Sequence, residues 1–305
     1  MLDVIIISYN GRKLTEECIK SLDNLSTKNI NFKITIVDNN SNDDTVEFIR
    51  NNYNNINIIA NKKNLGYAAA VNIGMKNTSS DFAIITNNDV VFTPDSIEKM
   101  LNFLKENHNA AVVAPQQLYP DGKWQRSYGD FVGIKSGLKY LFLVTLFQNH
   151  YFRKFYKVGK RKRPKRVEYA DGAVLCIKRE IFNKVNGFDE DYFFYSEEMD
   201  FCYRVKLASY SVWHLPTSIV YHHRGGSDLA MRFTEKKQEM LIASKILFCD
   251  KHLSNFEKKL YVLLEKLHHK FMLLSYKIIC KLKNTEKTTS KLNYYQLMHR
   301  IWIRK

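Results

Sequence analysis

The sequence predicts an α/β protein built on a mostly parallel central sheet, and two observations carry that prediction. Over the first hundred residues, short β-branched runs alternate with segments of helical spacing, which is the pattern of βαβ units. The residues that close each run are small, polar or acidic, as expected of strand ends that open onto a ligand crevice.

Taken in order, residues 4–8 read as a strand and 14–25 as a helix. Phe32–Asp38 is again strand-like, followed by a helix over 43–51, a strand over 56–60, a helix over 66–77 and a strand over 82–86. A helix over 94–107 opens with Pro94 in its first turn, where the missing N–H costs nothing. Four strand ends then carry Ser8-Tyr9-Asn10-Gly11, Asp38-Asn39-Asn40-Ser41, Asn61-Lys62-Lys63-Asn64-Leu65-Gly66 and Thr86-Asn87-Asn88-Asp89. Such a set suits a polar, multi-hydroxyl ligand. No GxGxxG follows the first strand and no GxxxxGK[ST] occurs, which argues against a dinucleotide oxidoreductase or a P-loop NTPase. Further on, 197–208 reads as a helix opened by three acids, and 219–221 as a strand leading to His222 and His223.

A chain of 305 residues, 45% hydrophobic, can build one large or two modest domains. Gly (12) and Pro (5) are too few for a collagen-like or a Pro/Gly-rich disordered chain. The five cysteines, Cys18, Cys176, Cys202, Cys249 and Cys280, show no CxxC or zinc-ligand spacing. A reducing compartment is therefore expected rather than a disulfide framework. No basic stretch precedes the first strand, so no signal peptide is expected.

The net charge is +16, from 47 Lys+Arg against 31 Asp+Glu. Its location matters more than its sum. Residues 228–305 hold 17 Lys/Arg and 7 Asp/Glu, and 157–166 hold seven basic residues with no acid, so the remainder is close to neutral. The aromatic, apolar stretch within 131–156, densest at 138–147, is too short to span a bilayer, which needs about 20 residues. Phe256, Leu260, Leu263, Leu267, Phe271, Leu274 and Ile278 recur at helical spacing, with Lys258, Lys259, Lys266, Lys270 and Lys277 largely elsewhere on the helix. That face either packs on the globular body or lies on an anionic membrane. Nucleic acid is not expected as a partner, because no recognised module accompanies the charge.

Ser8-Tyr9-Asn10, Val37-Asp38-Asn39-Asn40-Ser41-Asn42-Asp43-Asp44-Thr45, Asn64-Leu65-Gly66-Tyr67 with Asn72, and Asn87-Asn88-Asp89 resemble the nucleotide-binding half of family 2 glycosyltransferases. Asp171-Gly172-Ala173, Gly187-Phe188-Asp189, Tyr195-Ser196-Glu197-Glu198-Met199-Asp200-Phe201 and His222-His223-Arg224-Gly225-Gly226-Ser227 resemble the second half. The resemblance is closest to the rhamnosyltransferase-like branch and covers 3–227. It implies an A-type glycosyltransferase fold, Rossmann-like, with a C-terminal α-helical extension. The implied layout is a catalytic domain over 1–227 and a basic amphipathic helical extension over 228–305. The catalytic domain would divide into a nucleotide-binding half, 1–114, and an acceptor and catalytic half, 115–227, with a basic insertion at 131–166.

The resemblance also implies roles. Asp38 would accept the imide N–H of a uracil or thymine, although a bare Asp at a strand end equally suits a turn or a helix N-cap. Ser8, Tyr9, Asn10, Asn64, Gly66 and Asn88 would complete the nucleotide-sugar site. Asp89 stands where the family places its metal-binding acid, and His222 would reach the diphosphate or its metal, Mg2+ or Mn2+. As bare residues, Asn87-Asn88-Asp89 equally suits a turn and His222 a satisfied core histidine. Gly225 and Gly226 would let the backbone approach phosphate. Asp171 and Gly172 would line the acceptor side. Clustered carboxylates raise one another's proton affinity, which suits Glu198 as general base, with Glu197 positioning it or binding acceptor hydroxyls and Asp200 structural. The bland account of these three acids is the helix dipole.

The implied activity is inverting sugar transfer from a pyrimidine-nucleotide donor, dTDP-rhamnose or a UDP-sugar, to a hydroxyl of a glycan or lipid-linked glycan acceptor in cell-surface polysaccharide synthesis. The implied place is cytoplasmic, peripheral on the inner face of the cell membrane. No Gln-x-x-Arg-Trp occurs, so a single-addition enzyme is expected rather than a processive synthase. The other reading is a catalytically silent sugar-nucleotide- or membrane-binding subunit, disfavoured by the retained Asp38, Asp89, Glu198 and His222.

Overall fold

The computed structural model describes residues 2–23, 31–158, 162–223 and 234–305. Four strands, β1 (Leu2–Ser8), β2 (Phe32–Asp38), β3 (Asn57–Ala60) and β4 (Phe82–Asn87), are linked by the helices α1 (Arg12–Asp23), α2 (Thr45–Asn52) and α3 (Tyr67–Lys76). The strands are parallel and lie in the order β3-β2-β1-β4. β1 is buried at every position, which is why it reads as an apolar run rather than an alternation. The order reverses at β1, so a ligand crevice is expected beyond the carboxyl ends of β1 and β4. Pairing places Ser8 opposite Asp38, Asp38 opposite Ala60 and Ile7 opposite Asn87. The polar strand ends therefore lie in one row.

The chain continues through β5 (Val90–Phe92), α4 (Ser96–Glu106), β6 (Ala110–Leu118) and β7 (Tyr128–Gly129). After α5 (Ile134–Leu141) and α6 (Val144–Phe155) it returns as β8 (Lys165–Val167), β9 (Tyr169–Ala170), β10 (Val174–Lys178), α7 (Arg179–Lys184), α8 (Glu197–Leu207) and β11 (Ser211–His222). Among the described residues the central sheet is nine-stranded, in the order β3-β2-β1-β4-β10-β6-β11-β5, with β8 on β11. β10 runs antiparallel between β4 and β6. It thereby brings the loop before it, Asp171–Ala173, to the end of β4, where Asn87 donates its N–H to Ala173 O at 3.0 Å. β11 extends well beyond the 219–221 expected from sequence, because Pro216 and its neighbours are absorbed in an irregularity between Leu215 and Ile219. Its last residue, His222, pairs with Val90, the first of β5, and so lies beside Asp89.

A buried ion pair anchors this layer. Arg179 Nη2 lies 3.2 Å from Asp3 Oδ2 in β1, and Asp3 also accepts the N–H groups of Ser79 and Ser80 at 3.0 and 2.8 Å. Arg179 further donates to the carbonyls of Ser80 and Met75 and to Thr78 Oγ1. With the carboxylate and all three guanidinium nitrogens hydrogen-bonded, burial of the charges is tolerable.

The chain divides into two compact units. The first comprises Met1–Asp130 and Phe152–Leu229, the second Phe131–Tyr151 and Ala230–Lys305. The 131–166 stretch is thus shared, its first part belonging with the C-terminal helices. Residues 224–233, which contain the expected boundary at 227/228, lie outside the described residues. In the second unit, α10 (Asn255–Leu282) packs on α5 and α11 (Glu286–Ile303), and α9 (Glu235–His252) packs on both α10 and α11. Gly137 allows the close approach of α5: a Cβ there would meet Leu264 Cδ1 at 2.9 Å.

The apolar row foreseen on α10 is present but, apart from the half-buried Leu260, exposed. Phe256, Leu263, Leu267, Phe271, Leu274 and Ile278 are exposed, whereas Tyr261, Val262, Leu264, Glu265, His268, His269 and Met272 are buried. No helix among the described residues is long and apolar enough to cross a membrane.

Candidate active site

The loops after the parallel strands are held to one another by side chains. Asp38, 2% exposed, accepts from Ser41 N at 2.9 Å and Ser41 Oγ at 2.5 Å. The bland reading of this residue, a turn former, is thus realised, while each carboxylate oxygen keeps a second lone pair. Asn10, at φ 58, accepts from Asn42 N at 2.8 Å, and its own N–H donates to Ser41 Oγ at 2.7 Å. Asp43 accepts from the N–H groups of Gly11 and Arg12, at 2.7 and 3.2 Å, where α1 begins. Burial pushes its carboxyl up, but the Thr45 hydroxyl and these backbone hydrogen bonds together outweigh it and hold the carboxyl below the ordinary range.

Asn39 joins the next loop. Its Nδ2 donates to Asn64 Oδ1 and Gly66 O, at 2.9 and 3.0 Å, and its Oδ1 accepts from Leu65 N at 3.0 Å. Gly66, at φ +85, is required by a close backbone approach: a Cβ would stand 2.4 Å from Phe193 O, which accepts from Tyr67 N at 2.9 Å. Ser8 is fully buried, and Asn88 Nδ2 reaches its Oγ at 3.4 Å, Asn10 O at 2.9 Å and Thr15 Oγ1 at 2.9 Å. Tyr9 is exposed, 42%, at the rim. Ser8, Asn10, Asn64 and Asn88 therefore hold the strand-end loops together with their side chains, and Tyr9 stays exposed.

The acids of the second half converge on Tyr67. Its buried hydroxyl donates to Gly172 O at 2.7 Å. Burial, then the charges of Glu197, Glu198, Asp171 and Asp89, push this phenol far above its ordinary value. Glu197 and Glu198 open α8 immediately after two left-handed residues, Tyr195 at φ 75 and Ser196 at φ 67. Non-glycine residues adopt that conformation at a cost, a common feature of functional sites. Glu197 is buried, and its Oε2 has no hydrogen-bond partner among the described residues. Burial and the adjacent Glu198 raise its proton affinity strongly. Glu198 is half-buried beside Gly172, whose Cβ position is 3.4 Å from Glu198 Cβ. Desolvation, then the Asp171 charge, push it up to about 8. Asp200 is fully buried and accepts from Arg204 Nε at 2.7 Å.

His222 Nε2 lies 3.3 Å from Asp89 Oδ1, both side chains being buried. An oxygen and a nitrogen at this spacing suit Mn2+, which accepts imidazole as well as carboxylate. Among the described residues no third His, Cys, Asp or Glu completes a cage, so such a cation would draw its other ligands from donor oxygens and water. Gly225 and Gly226 lie outside the described residues.

Asn39, Asp43, Tyr67, Gln117 and Gln125 were not foreseen as site residues. Asn39 and Asp43 stood in the motif after β2 and Tyr67 at the head of α3, but no spacing marked their partners. Gln117 and Gln125 carried no signal at all.

A parallel half, a mixed half carrying an acidic helix start, and an Asp–His pair between them make up an A-type glycosyltransferase fold. Residues 3–185 match Glycosyl transferase family 2, and the chain belongs to that family. It is 26% identical over 239 residues to N-acetylglucosaminyl-diphospho-decaprenol L-rhamnosyltransferase of Mycobacterium tuberculosis, covering 74% of this chain and 77% of the relative. It is 24% identical over 238 residues to Rhamnosyltransferase WbbL of Escherichia coli K12, covering 73% and 83%. Among solved structures, mannosyltransferase PcManGT from Pyrobaculum calidifontis, in complex with GDP-Man and Mn2+, superposes with TM-score 0.64 at 12% identity, covering 99% of this chain and 86% of that one.

Proposed function

We propose that this glycosyltransferase is an inverting, single-addition enzyme that moves a sugar from a pyrimidine-nucleotide donor, dTDP-rhamnose or a UDP-sugar, to a hydroxyl of a glycan or lipid-linked glycan. The observation that carries the reading is the half-buried Glu198, its proton affinity raised, at the strained start of α8 against the Asp171-Gly172 loop. A carboxylate so tuned is suited to take a proton near neutral pH. Glu198 accepts the proton of the acceptor hydroxyl as that oxygen bonds to the anomeric carbon. The bond from that carbon to the diphosphate breaks on the opposite face, and its electron pair leaves with the diphosphate. Glu197 and Asp171 bind acceptor hydroxyls, and Gly172 leaves room for them. Asp38 offers its spare lone pairs to the base imide, within the loops built by Ser8, Asn10, Asn64, Gly66 and Asn88, with Tyr9 against the ring. Asp89 and His222 would hold Mg2+ or Mn2+, which neutralises charge developing on the diphosphate when bound.

The lipid-linked acceptor is supported by the decaprenol-linked substrate in the name of the mycobacterial relative. Peripheral contact with the cytoplasmic face of the cell membrane is supported by the exposed apolar row of α10 and the lysines beside it. A panel of nucleotide sugars with Mn2+ tests the donor: a pyrimidine-nucleotide sugar raises the melting temperature, and transfer from that donor inverts the anomeric centre. Glu198→Gln is expected to keep donor binding and lose transfer by about 10²–10⁴-fold. Wild-type transfer in that variant removes Glu198 as the base.

A further inference from the structure

We propose that Gln125, aided by Gln117, is a positioning residue that fixes the His222 ring in one tautomer, with its Nε2 lone pair facing Asp89 and the pair preset for a divalent cation. This rests on the cation reading above, and it concerns residues to which no role has been given.

Gln117 lies in β6 and Gln125 between β6 and β7, and both are buried, 0% and 1% exposed. Gln125 Oε1 lies 2.7 Å from His222 Nδ1, and Gln117 Oε1 lies 3.1 Å from the same nitrogen. The orientation of each amide is set by its other end. Gln125 Nε2 donates to the carbonyl oxygen of His222 at 3.0 Å, and Gln117 Nε2 reaches Asp171 Oδ1 at 3.4 Å. Turning the Gln125 amide over would set its oxygen against that carbonyl, and turning Gln117 would set an oxygen against a carboxylate. Two amide oxygens therefore face Nδ1, and an amide oxygen only accepts. Nδ1 must carry the hydrogen, so in the neutral ring Nε2 is a bare lone pair.

That lone pair points at a carboxylate oxygen 3.3 Å away. Two acceptors at this distance repel, and a cation held by both, whether a proton or a divalent ion, removes the repulsion. An amide orienter suits that purpose, because it fixes the hydrogen on Nδ1 and leaves Nε2 to face Asp89 and the cation. Gln116 secures the arrangement from behind: its Nε2 donates to Gln117 O and Gln125 O, at 2.6 and 2.9 Å. Gln117 also connects the Asp89–His222 pair to Asp171, on the side of the proposed base.

The test uses the full chain with ¹⁵N-labelled histidine, free of metal, at neutral pH, with the His222 signals identified by their loss in His222→Gln. The expected result is a hydrogen on Nδ1, whether or not Nε2 also carries one. A hydrogen on Nε2 and none on Nδ1 overturns the inference. In a second measurement Mn2+ alone is titrated, and Gln125→Met is expected to weaken its binding about 10–100-fold, with a smaller loss in Gln117→Met. Wild-type Mn2+ affinity in a folded Gln125→Met chain also overturns it. If that variant does not fold, the tautomer in the wild-type chain still decides. A wild-type chain that binds no Mn2+ defeats the cation half. Intact tautomer and Mn2+ binding without sugar transfer count against the proposed reaction and support this inference.

Discussion

Glu197 and Glu198 are adjacent in sequence and differ in what surrounds them. Glu197 is enclosed and strongly favours its protonated form, whereas Glu198 keeps one side open and is pushed up to about 8 by desolvation and the Asp171 charge. A base must be ionised to act, so transfer is expected to fall about tenfold per pH unit as pH drops below about 8. A rate–pH profile checks this, and a rate that is level between about pH 6 and 8 contradicts it. Because burial favours the protonated form of Glu197, Glu197→Gln is expected to cost far less activity than Glu198→Gln when both are assayed with saturating donor. At this scale the sequence was readable where an unusual residue type stood at a strand end, as with Asp38 and Asp89. It was silent where a partner arrives from far along the chain. Tyr67 meets Gly172 across 105 positions, and Gln117 and Gln125 meet His222 across 105 and 97. Only folding reveals such pairs.

Among the elements, β1 to β4 and α1 to α4 were legible because short apolar β-branched runs alternate there with segments of period 3.6, whereas the three-residue β5 was not read. β6 was not, since its buried run contains Pro115, Gln116 and Gln117, residue types that ordinarily mark turns or surfaces. α10 shows the same difficulty in a helix. Its buried side includes Glu265, His268 and His269, so hydropathy selected the opposite, exposed row. These buried polar groups make the second unit sensitive to acid. Burial lowers His269 to about 4, with the nearby Glu265 opposing and His268 and Lys245 assisting. The folded protein thus binds this proton less readily than the unfolded chain. The stabilisation is complete above the ordinary imidazole value near 6.5 and is lost as pH falls from there toward about 4. Melting curves across that interval are expected to show a progressive drop that His269→Phe diminishes. In the first unit, Arg179→Met leaves Asp3 buried without its cation, and a loss of about 3–5 kcal/mol in urea unfolding is expected.

For the whole molecule, the +16 charge is confined largely to the basic run at 157–166 and the residues beyond 228. On α10, Lys259, Lys266, Lys270, Lys277 and Lys281 fall along one flank of the exposed row, and the only acids of that helix are Glu257 at its start and the buried Glu265. Each lysine near an anionic bilayer adds about 1 kcal/mol, screened by salt. Co-sedimentation with anionic vesicles is expected at low salt, weaker at high salt, and largely abolished in Leu267→Glu/Phe271→Glu. Retention of vesicle binding by that double variant contradicts a role for this face. The division of the chain has a consequence for how the protein is made. The first segment of the second unit, Phe131–Tyr151, leaves the ribosome about a hundred residues before the helices that cover it. During that interval the face of α5 around Gly137, which later receives Leu264 and Tyr261, is bare on the nascent chain. Synthesis that stops short of α10 therefore leaves an adhesive stub in the middle of the enzyme, and a stop codon early in the last third is a folding defect rather than the loss of a tail.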